Sequence, residues 1–350
     1  MRVDKEYCMS SYLMFRFIYD DNALFAEGKT RTKYKMAEYR HPCASARDID
    51  NAIQYELGKV DNNTGILLSG GMDSAILATY LPEGSNAYTL RILAEGIPDE
   101  TALAKHYADI CGLNHHIVDI TWDDYQKFMP TILKHKKAPF HSIEPMIYKA
   151  ALAAKDDGCT RLLCGENADI VFGGMDGLLS KDWTYNEFIQ RYTYLDPRRV
   201  LRNPVFITEP FDEYMSEGVF DAHSFIGKYF YREAINSYFD AAACAGIELV
   251  VPYLHMKMSV PIDLNRIRSG ESKYLIRELF SKRYNNAKPA VKLPMPRGVG
   301  HWLENWDGPV REEFLPGCLS GLKGDQKWQL YCLEMFLDML DNGEIEGAGL

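Results

Sequence analysis

Apolar residues in the first half of the chain fall into short runs, separated by polar stretches long enough to hold a helix. Four runs, at residues 65–68, 87–93, 116–120 and 161–164, are bounded by turn residues and have the length of buried strands. Between them, residues 75–81, 100–111 and 145–154 carry helical patterns, each ended by Pro, Gly or a charged turn. This alternation predicts a parallel sheet with helices on both faces, a doubly wound α/β domain. Upstream, Ile49, Ala52, Ile53 and Leu57 recur at helical spacing behind Ser45, and Asp48 stands three residues beyond it as in a capping box. An amphipathic helix ending near Gly58 is therefore expected. Aromatic and branched residues at 11–19 and 23–26 flank Asp20-Asp21-Asn22, which predicts a hairpin.

Beyond about Leu179 tyrosine, phenylalanine and arginine become frequent and the periodicity turns helical. The expected organisation is a short N-terminal hairpin segment (1–45), a nucleotide-binding α/β core (46–180) and a mainly helical C-terminal lobe that completes the site (181–350). The proline-dense stretch 289–296 reads as a loop. With 350 residues, 47% hydrophobic and 25% charged, the chain can bury a large core, and disordered or fibrous classes are excluded. Its formal net charge of -10 repels nucleic-acid phosphates, so no nucleic-acid partner is expected. The eight cysteines include no CxxC pair and no zinc spacing. No apolar run of about 20 residues and no signal peptide is visible, so a cytoplasmic protein without a membrane partner is predicted.

The chemistry concentrates in Ser69-Gly70-Gly71-Met72-Asp73-Ser74, which follows a predicted strand and opens a predicted helix. Two glycines allow a sharp turn and a close approach to a ligand. Ser69, Ser74 and the amides at the helix start can donate to phosphate oxygens, making the turn an anion cradle. Phosphates would repel an aspartate there unless a cation lay between them, so Asp73 makes sense as a magnesium ligand. The bland alternative is a glycine turn of structural use alone. No Walker lysine follows, so this is not a P-loop of that type.

The string resembles the signature of the PP-loop ATP pyrophosphatase superfamily, which implies cleavage of ATP to AMP and pyrophosphate. Cys164-Gly165-Glu166-Asn167-Ala168-Asp169, running into Phe172-Gly173-Gly174, resembles the SGEGADELFGG segment of asparagine synthetases. Residues 246–254, GIELVVPYL, look like that family's GVEARVPFLD, and 292–300, KLPMPRGVG, look like its KEQFSDGVG. The match runs from about Ile49 to Trp306 and extends to relatives such as β-lactam synthetase and lasso-peptide cyclases. The resemblance implies a nucleotide site formed by Leu68, Ser69, Gly70, Gly71, Asp73, Ser74, Leu93, Cys164 and Gly165, with Asp73 and Asp169 holding Mg2+. Glu166 would orient or deprotonate the amine, and Lys292 would stabilise developing negative charge.

On this basis the expected function is an ATP-dependent ligase that adenylates a small-molecule or peptide carboxylate and passes the acyl group to ammonia or another amine. A homodimer or a partner biosynthetic protein is the expected assembly. The chain also departs from the family. Arg2 follows the first Met and about 45 residues precede the first core helix, too few for the family's N-terminal glutaminase domain, so no internal ammonia source is expected. Ile170 replaces an acidic residue, and Tyr253-Leu254-His255 replaces the PFLD ending, so aspartate is not carried over from the family as the expected substrate. Two rivals are a sulfurtransferase, for which Cys164 is the only well-placed persulfide candidate, and a catalytically silent nucleotide-binding scaffold. His115-His116 are read as structural. Arg266, Arg268, Lys273, Arg277, Lys282 and Arg283 are read as a solvated helix face, and the aromatic stripe at 229–238 as core.

Overall fold

The computed structural model describes residues 1–32, 39–58, 63–216, 218–290 and 295–346. Its central sheet has five strands: β1 (Thr64–Leu67), β2 (Asn86–Ile92), β3 (Asn114–Ile120), β4 (Arg161–Leu163) and β5 (Glu248–Val250). The order across the sheet is β5-β4-β1-β2-β3, and every neighbouring pair is parallel. The chain starts in the middle, steps outward through β2 and β3, then crosses back to lay β4 and β5 on the other side of β1. That reversal sets the carboxyl ends of β1 and β4 side by side with their following segments diverging, which opens a crevice in a doubly wound sheet. The four strands expected from the apolar runs are present, their ends displaced by one or two residues.

The helices that position the site are α1 (Lys5–Phe15), α2 (Ala46–Glu56), α3 (Met72–Ala78), α4 (Thr101–Ile110), α5 (Trp122–Lys136), α6 (Glu144–Asp156), α7 (Ala168–Val171), α8 (Ala222–Phe230), α9 (Asn236–Ala245), α10 (Tyr274–Arg283) and α11 (Gly324–Asp341). One apolar core joins α2, α3, α4 and α10 through Ile49, Ile76, Tyr107 and Leu279. The larger core joins α1, α5, α6, α9 and α11 through Phe15, Ile132, Ile147, Ala241 and Phe336. At β1 the sheet is so close-set that a Cβ on Gly65 would stand 2.9 Å from the Tyr88 ring. Only glycine fits there.

The capping box before α2 forms as expected, with Ser45 and Asp48 exchanging side-chain to backbone bonds. The expected hairpin does not form. Residues 11–15 of its first arm belong to the helix α1, which is capped by Asp4, whose side chain accepts from Tyr7 N–H, and is buried continuously from Tyr7 to Phe15. A helix buried all round has no polar face to mark a 3.6-residue period, so its aromatic run imitates a strand. Ala23–Leu24 instead pairs in parallel with Arg2–Val3. Two further elements escaped the pattern. Helix α5 tolerates Pro130 inside it, and β5 is a three-residue strand whose partner β4 lies far back in the chain.

Candidate active site

After β1 the chain turns through Ser69-Gly70-Gly71 into α3. Leu68 is buried in the core beside α3; its N–H donates to the Tyr88 carbonyl at 2.9 Å, and its carbonyl accepts from Thr89 Oγ1 at 2.6 Å. The same Thr89 hydroxyl lies 2.8 Å from His115 Nε2, so the first of the paired histidines does serve the sheet. The turn is braced from within. Ser69 N–H donates to Ser74 Oγ at 3.1 Å, the two serine hydroxyls are 3.0 Å apart, and Gly71 N–H donates to Ser69 Oγ at 3.1 Å. The Gly70 amide donates to Glu100 Oε2 at 3.0 Å. Burial raises the Glu100 carboxyl above its ordinary range, against the opposing pull of that amide. A carboxylate thus stands on one donor of the anion cradle, a contact that nothing in the local pattern announced.

The loop after β4 is pressed against this turn. A Cβ on Gly165 would lie 2.8 Å from Ser74 N and 3.1 Å from the Asp73 carbonyl carbon, so the second motif touches the first through a position that admits no side chain. Cys164 N–H donates to the Val250 carbonyl of β5 at 2.9 Å. Its thiol is buried, and burial, reinforced by Glu166, holds its pKa well above the ordinary value. Asn167 turns the chain into α7 with φ 75, a left-handed conformation that asparagine tolerates better than most residues. Its Nδ2 donates to the Tyr253 carbonyl at 2.9 Å, and Tyr253 OH donates to the Asp73 carbonyl at 3.2 Å. Tyr253, on the segment after β5, therefore ties the two loops together.

Asp73 and Asp169, one from each loop, converge on the ammonium group of Lys273. The Lys273 Nζ pairs with Asp73 Oδ2 and lies 2.9 Å from Asp169 Oδ1. Lys273 is only 2% exposed and sits in the left-handed region at φ 52, immediately before α10. Burial works against its charge, but the two carboxylates outweigh that and raise its pKa above the usual lysine value. Of the six basic residues read as a solvated face, Lys273 departs from that reading. Arg266, Arg268 and Lys282 do pair at the surface, with Glu271, Asp182 and Glu278. Gly174 leaves room for the cluster, since a Cβ there would overlap Asp169 Oδ1 and approach Lys273 Cδ to 2.6 Å.

Among the described residues no group of three or more His, Cys, Asp and Glu side chains could hold a metal unaided. Two carboxylates that already share one cation are nevertheless a fitting donor set for Mg2+, which takes hard oxygen ligands and completes its shell from phosphates and water. Glu166, on the same loop as Asp169, accepts a hydrogen bond from Tyr238 OH at 2.8 Å. Tyr238 also lies 3.4 Å from Met295 Sδ. Tyr238 belongs to the stripe read as core, and it is buried, but its hydroxyl end serves the loop. Leu93, just past the carboxyl end of β2, is 48% exposed, and its N–H donates to the Ile120 carbonyl of β3 at 2.9 Å. Lys292 lies outside the described residues.

The family model described as "Asparagine synthase" matches residues 46–312. Asparagine synthetase [glutamine-hydrolyzing] 2 of Oryza sativa subsp. japonica is 30% identical over 165 residues, 43% of this chain and 26% of that protein. Asparagine synthetase [glutamine-hydrolyzing] 3 of Arabidopsis thaliana is 30% identical over 125 residues, 31% of this chain and 21% of that protein. The matched stretch thus spans about a quarter of each relative's length. Among solved structures, NMN synthetase from Francisella tularensis aligns over 72% of this chain and 100% of its own, at 11% identity and a TM-score of 0.27. No helix among the described residues is long and apolar enough to cross a membrane.

Proposed function

The chain belongs to the asparagine synthase family, and on that premise we propose that it is an ATP-dependent ligase that forms an amide by way of an acyl-adenylate. The observation that carries the reading is the convergence of Asp73 and Asp169, from loops on either side of the topological reversal, on one buried cationic point. ATP would lie in the crevice with its phosphates toward the turn at Ser69–Ser74, and Asp73 and Asp169 would hold Mg2+. The metal, when bound, neutralises phosphate charge and orients the polyphosphate.

In the first step an oxygen of the substrate carboxylate attacks the α-phosphorus, the bond to the bridging oxygen breaks, and pyrophosphate leaves. In the second, a neutral amine attacks the acyl carbon, the bond to the AMP oxygen breaks, and the amine nitrogen loses a proton. Glu166, held by Tyr238, is proposed to accept that proton or orient the amine, and Lys292 to stabilise negative charge. The chain's own work is positioning and charge compensation. Ammonia, another amine, or an amine supplied by a partner protein all remain compatible with this scheme, as does a small or peptide carboxylate.

Two other readings of the loop are less well supported. Sulfur transfer needs a reactive thiolate, whereas the Cys164 thiol is buried and held neutral by its surroundings. A silent scaffold would share the buried ion cluster and is told apart from a ligase by turnover. The deciding measurement is exchange of labelled pyrophosphate into ATP, screened against a panel of carboxylates. Exchange that depends on one carboxylate and is abolished in Asp73→Ala supports the ligase, whereas a variant that exchanges as well as the parent removes the metal assignment. ATP binding without exchange on any carboxylate favours the scaffold.

A further inference from the structure

Helices α4 and α10 meet through the rings of Tyr107, Phe280 and Tyr284. The Tyr107 centroid lies 5.9 Å from that of Phe280 and 5.3 Å from that of Tyr284, and the last two are 4.6 Å apart. Just past α10, Asn285 and Asn286 both take left-handed backbone, at φ 49 and 64, which asparagine tolerates better than most residues. They turn the chain back toward α4, and the Ala290 amide comes up against the Tyr107 hydroxyl. The two helices and this returning segment enclose a groove of about 330 Å3. Leu103, Ile110 and Phe280 form part of its apolar wall, while His106, Arg283 and Lys288 supply polar groups. No residue of the turn at Ser69–Ser74, nor Asp73, Asp169 or Lys273, lines it.

The lining is one-sided in charge. Three basic residues and no acidic one face the groove, on a chain whose formal net charge is -10. The acids carried by the two helices, Asp109 and Glu278, are already paired with Lys105 and Lys282, and Asp50 is paired with Arg283. Lys288 is exposed and enters no ion pair among the described residues, so its charge is unmatched where it meets the groove. Arg283 spends Nη2 on Asp50, one nitrogen of a guanidinium that carries five N–H donors. These groups stand at an open rim: 27% of the Arg283 side chain is in contact with solvent, and Ile110 is 56% exposed. Hydrocarbon beside unmatched positive charge suits an anion with an apolar body, and the cluster of rings favours an aromatic one. Guanidinium and ammonium groups take carboxylate and phosphate alike.

We propose that this groove binds a small aromatic anion, its ring against Ile110 and Phe280 and its negative group against Lys288 and Arg283. The site does not depend on the ligase reading. It is tested by calorimetric titration of the full chain, at constant ionic strength, with sodium benzoate, phenyl phosphate, benzylammonium chloride and sodium acetate. Benzoate, phenyl phosphate or both bind, and which of them does identifies the anionic group; benzylammonium, with the ring but the opposite charge, and acetate, without the ring, bind far more weakly. Lys288→Gln removes one rim charge and weakens binding about threefold, and Ile110→Glu sets a like charge in the wall and weakens it roughly tenfold or more. Both positions are exposed, so both variants melt like the parent. Because a carboxylate could also enter the nucleotide crevice, crystals soaked in 4-bromobenzoate locate the ligand independently of any variant, by the anomalous signal of bromine in the groove. Absence of binding by both anions at millimolar concentration, benzylammonium or acetate binding as tightly as the aromatic anions, parent-like binding in either folded variant, or bromine found only outside the groove overturns the proposal.

Discussion

At the scale of single residues the site hangs on Lys273. Its buried ammonium holds two partly exposed carboxylates, and removing the cation leaves two like charges facing each other. Breaking a buried pair in this way costs about 3–5 kcal/mol, so Lys273→Met should destabilise the fold by that order in chemical denaturation. Adding Asp73→Asn to the same chain should recover part of the loss, because it removes one of the opposed charges. A double variant no more stable than Lys273→Met would mean that the two carboxylates are not coupled through the lysine. The glycines and acids of the two loops were legible from the sequence because each motif is contiguous. Lys273 was not, since its partners are 200 and 104 positions away (273 − 73 and 273 − 169) and a lysine among five other basic residues looks like solvated surface. Asn167 shows a substitution that chemistry makes readable. Where the family segment has a glycine, this chain needs a left-handed residue and uses the side chain next best suited to it.

At the scale of elements, legibility followed periodicity. The four core strands read clearly as apolar runs, and α2 read clearly because its polar face and its capping box are both intact. That cap makes a quantitative expectation possible. Ser45→Ala removes the side chain that accepts from Asp48 N–H and should cost about 1 kcal/mol of stability, within the usual 0.5–2, measured as a shift in denaturant midpoint with an unchanged slope. Loss of less than a few tenths would show that the helix start is fixed by tertiary contacts instead. Helix α1 and strand β5 were illegible for opposite reasons. The helix is too buried to show an amphipathic period, and the strand is too short and too far from its partner to show any period at all. Yet β5 matters to the site, because it receives the Cys164 amide and leads directly into Tyr253, which fastens both loops.

At the scale of the whole molecule, buried charges join segments that the sheet does not. Arg16, at the end of α1, pairs with Glu233 in the π-helical segment Tyr231–Ile235 that joins α8 to α9 and with Asp325 at the start of α11. His141, just ahead of α6, completes the junction. Ile143 N–H donates to its Nδ1 at 3.1 Å, and its Nε2 lies 2.9 Å from Arg16 Nη1 and 3.2 Å from Glu233 Oε1. Burial and the nearby Arg16 lower the His141 pKa to about 4, whereas an unfolded histidine titrates near 6.5. Between those values the unfolded chain binds the extra proton, so His141 costs stability as pH falls through the window. Glu144, three residues on, runs the other way. Burial raises its carboxyl to about 7, against the pull of Lys136, so between about 4.5 and 7 the folded chain holds the extra proton and acid favours folding. The two linkages oppose each other from about 4.5 to 6.5, and the parent should show little net slope from this pair. Relative to it, His141→Gln should gain stability as pH falls across that window and Glu144→Gln should lose it, each by up to roughly 1.4 kcal/mol per pH unit. Urea denaturation of the parent and both variants at pH 4.5, 5.5 and 6.5 measures the slopes. Variants whose stability differences from the parent do not change with pH would show that neither group changes its proton affinity on folding, and the account of this junction would then rest on packing alone.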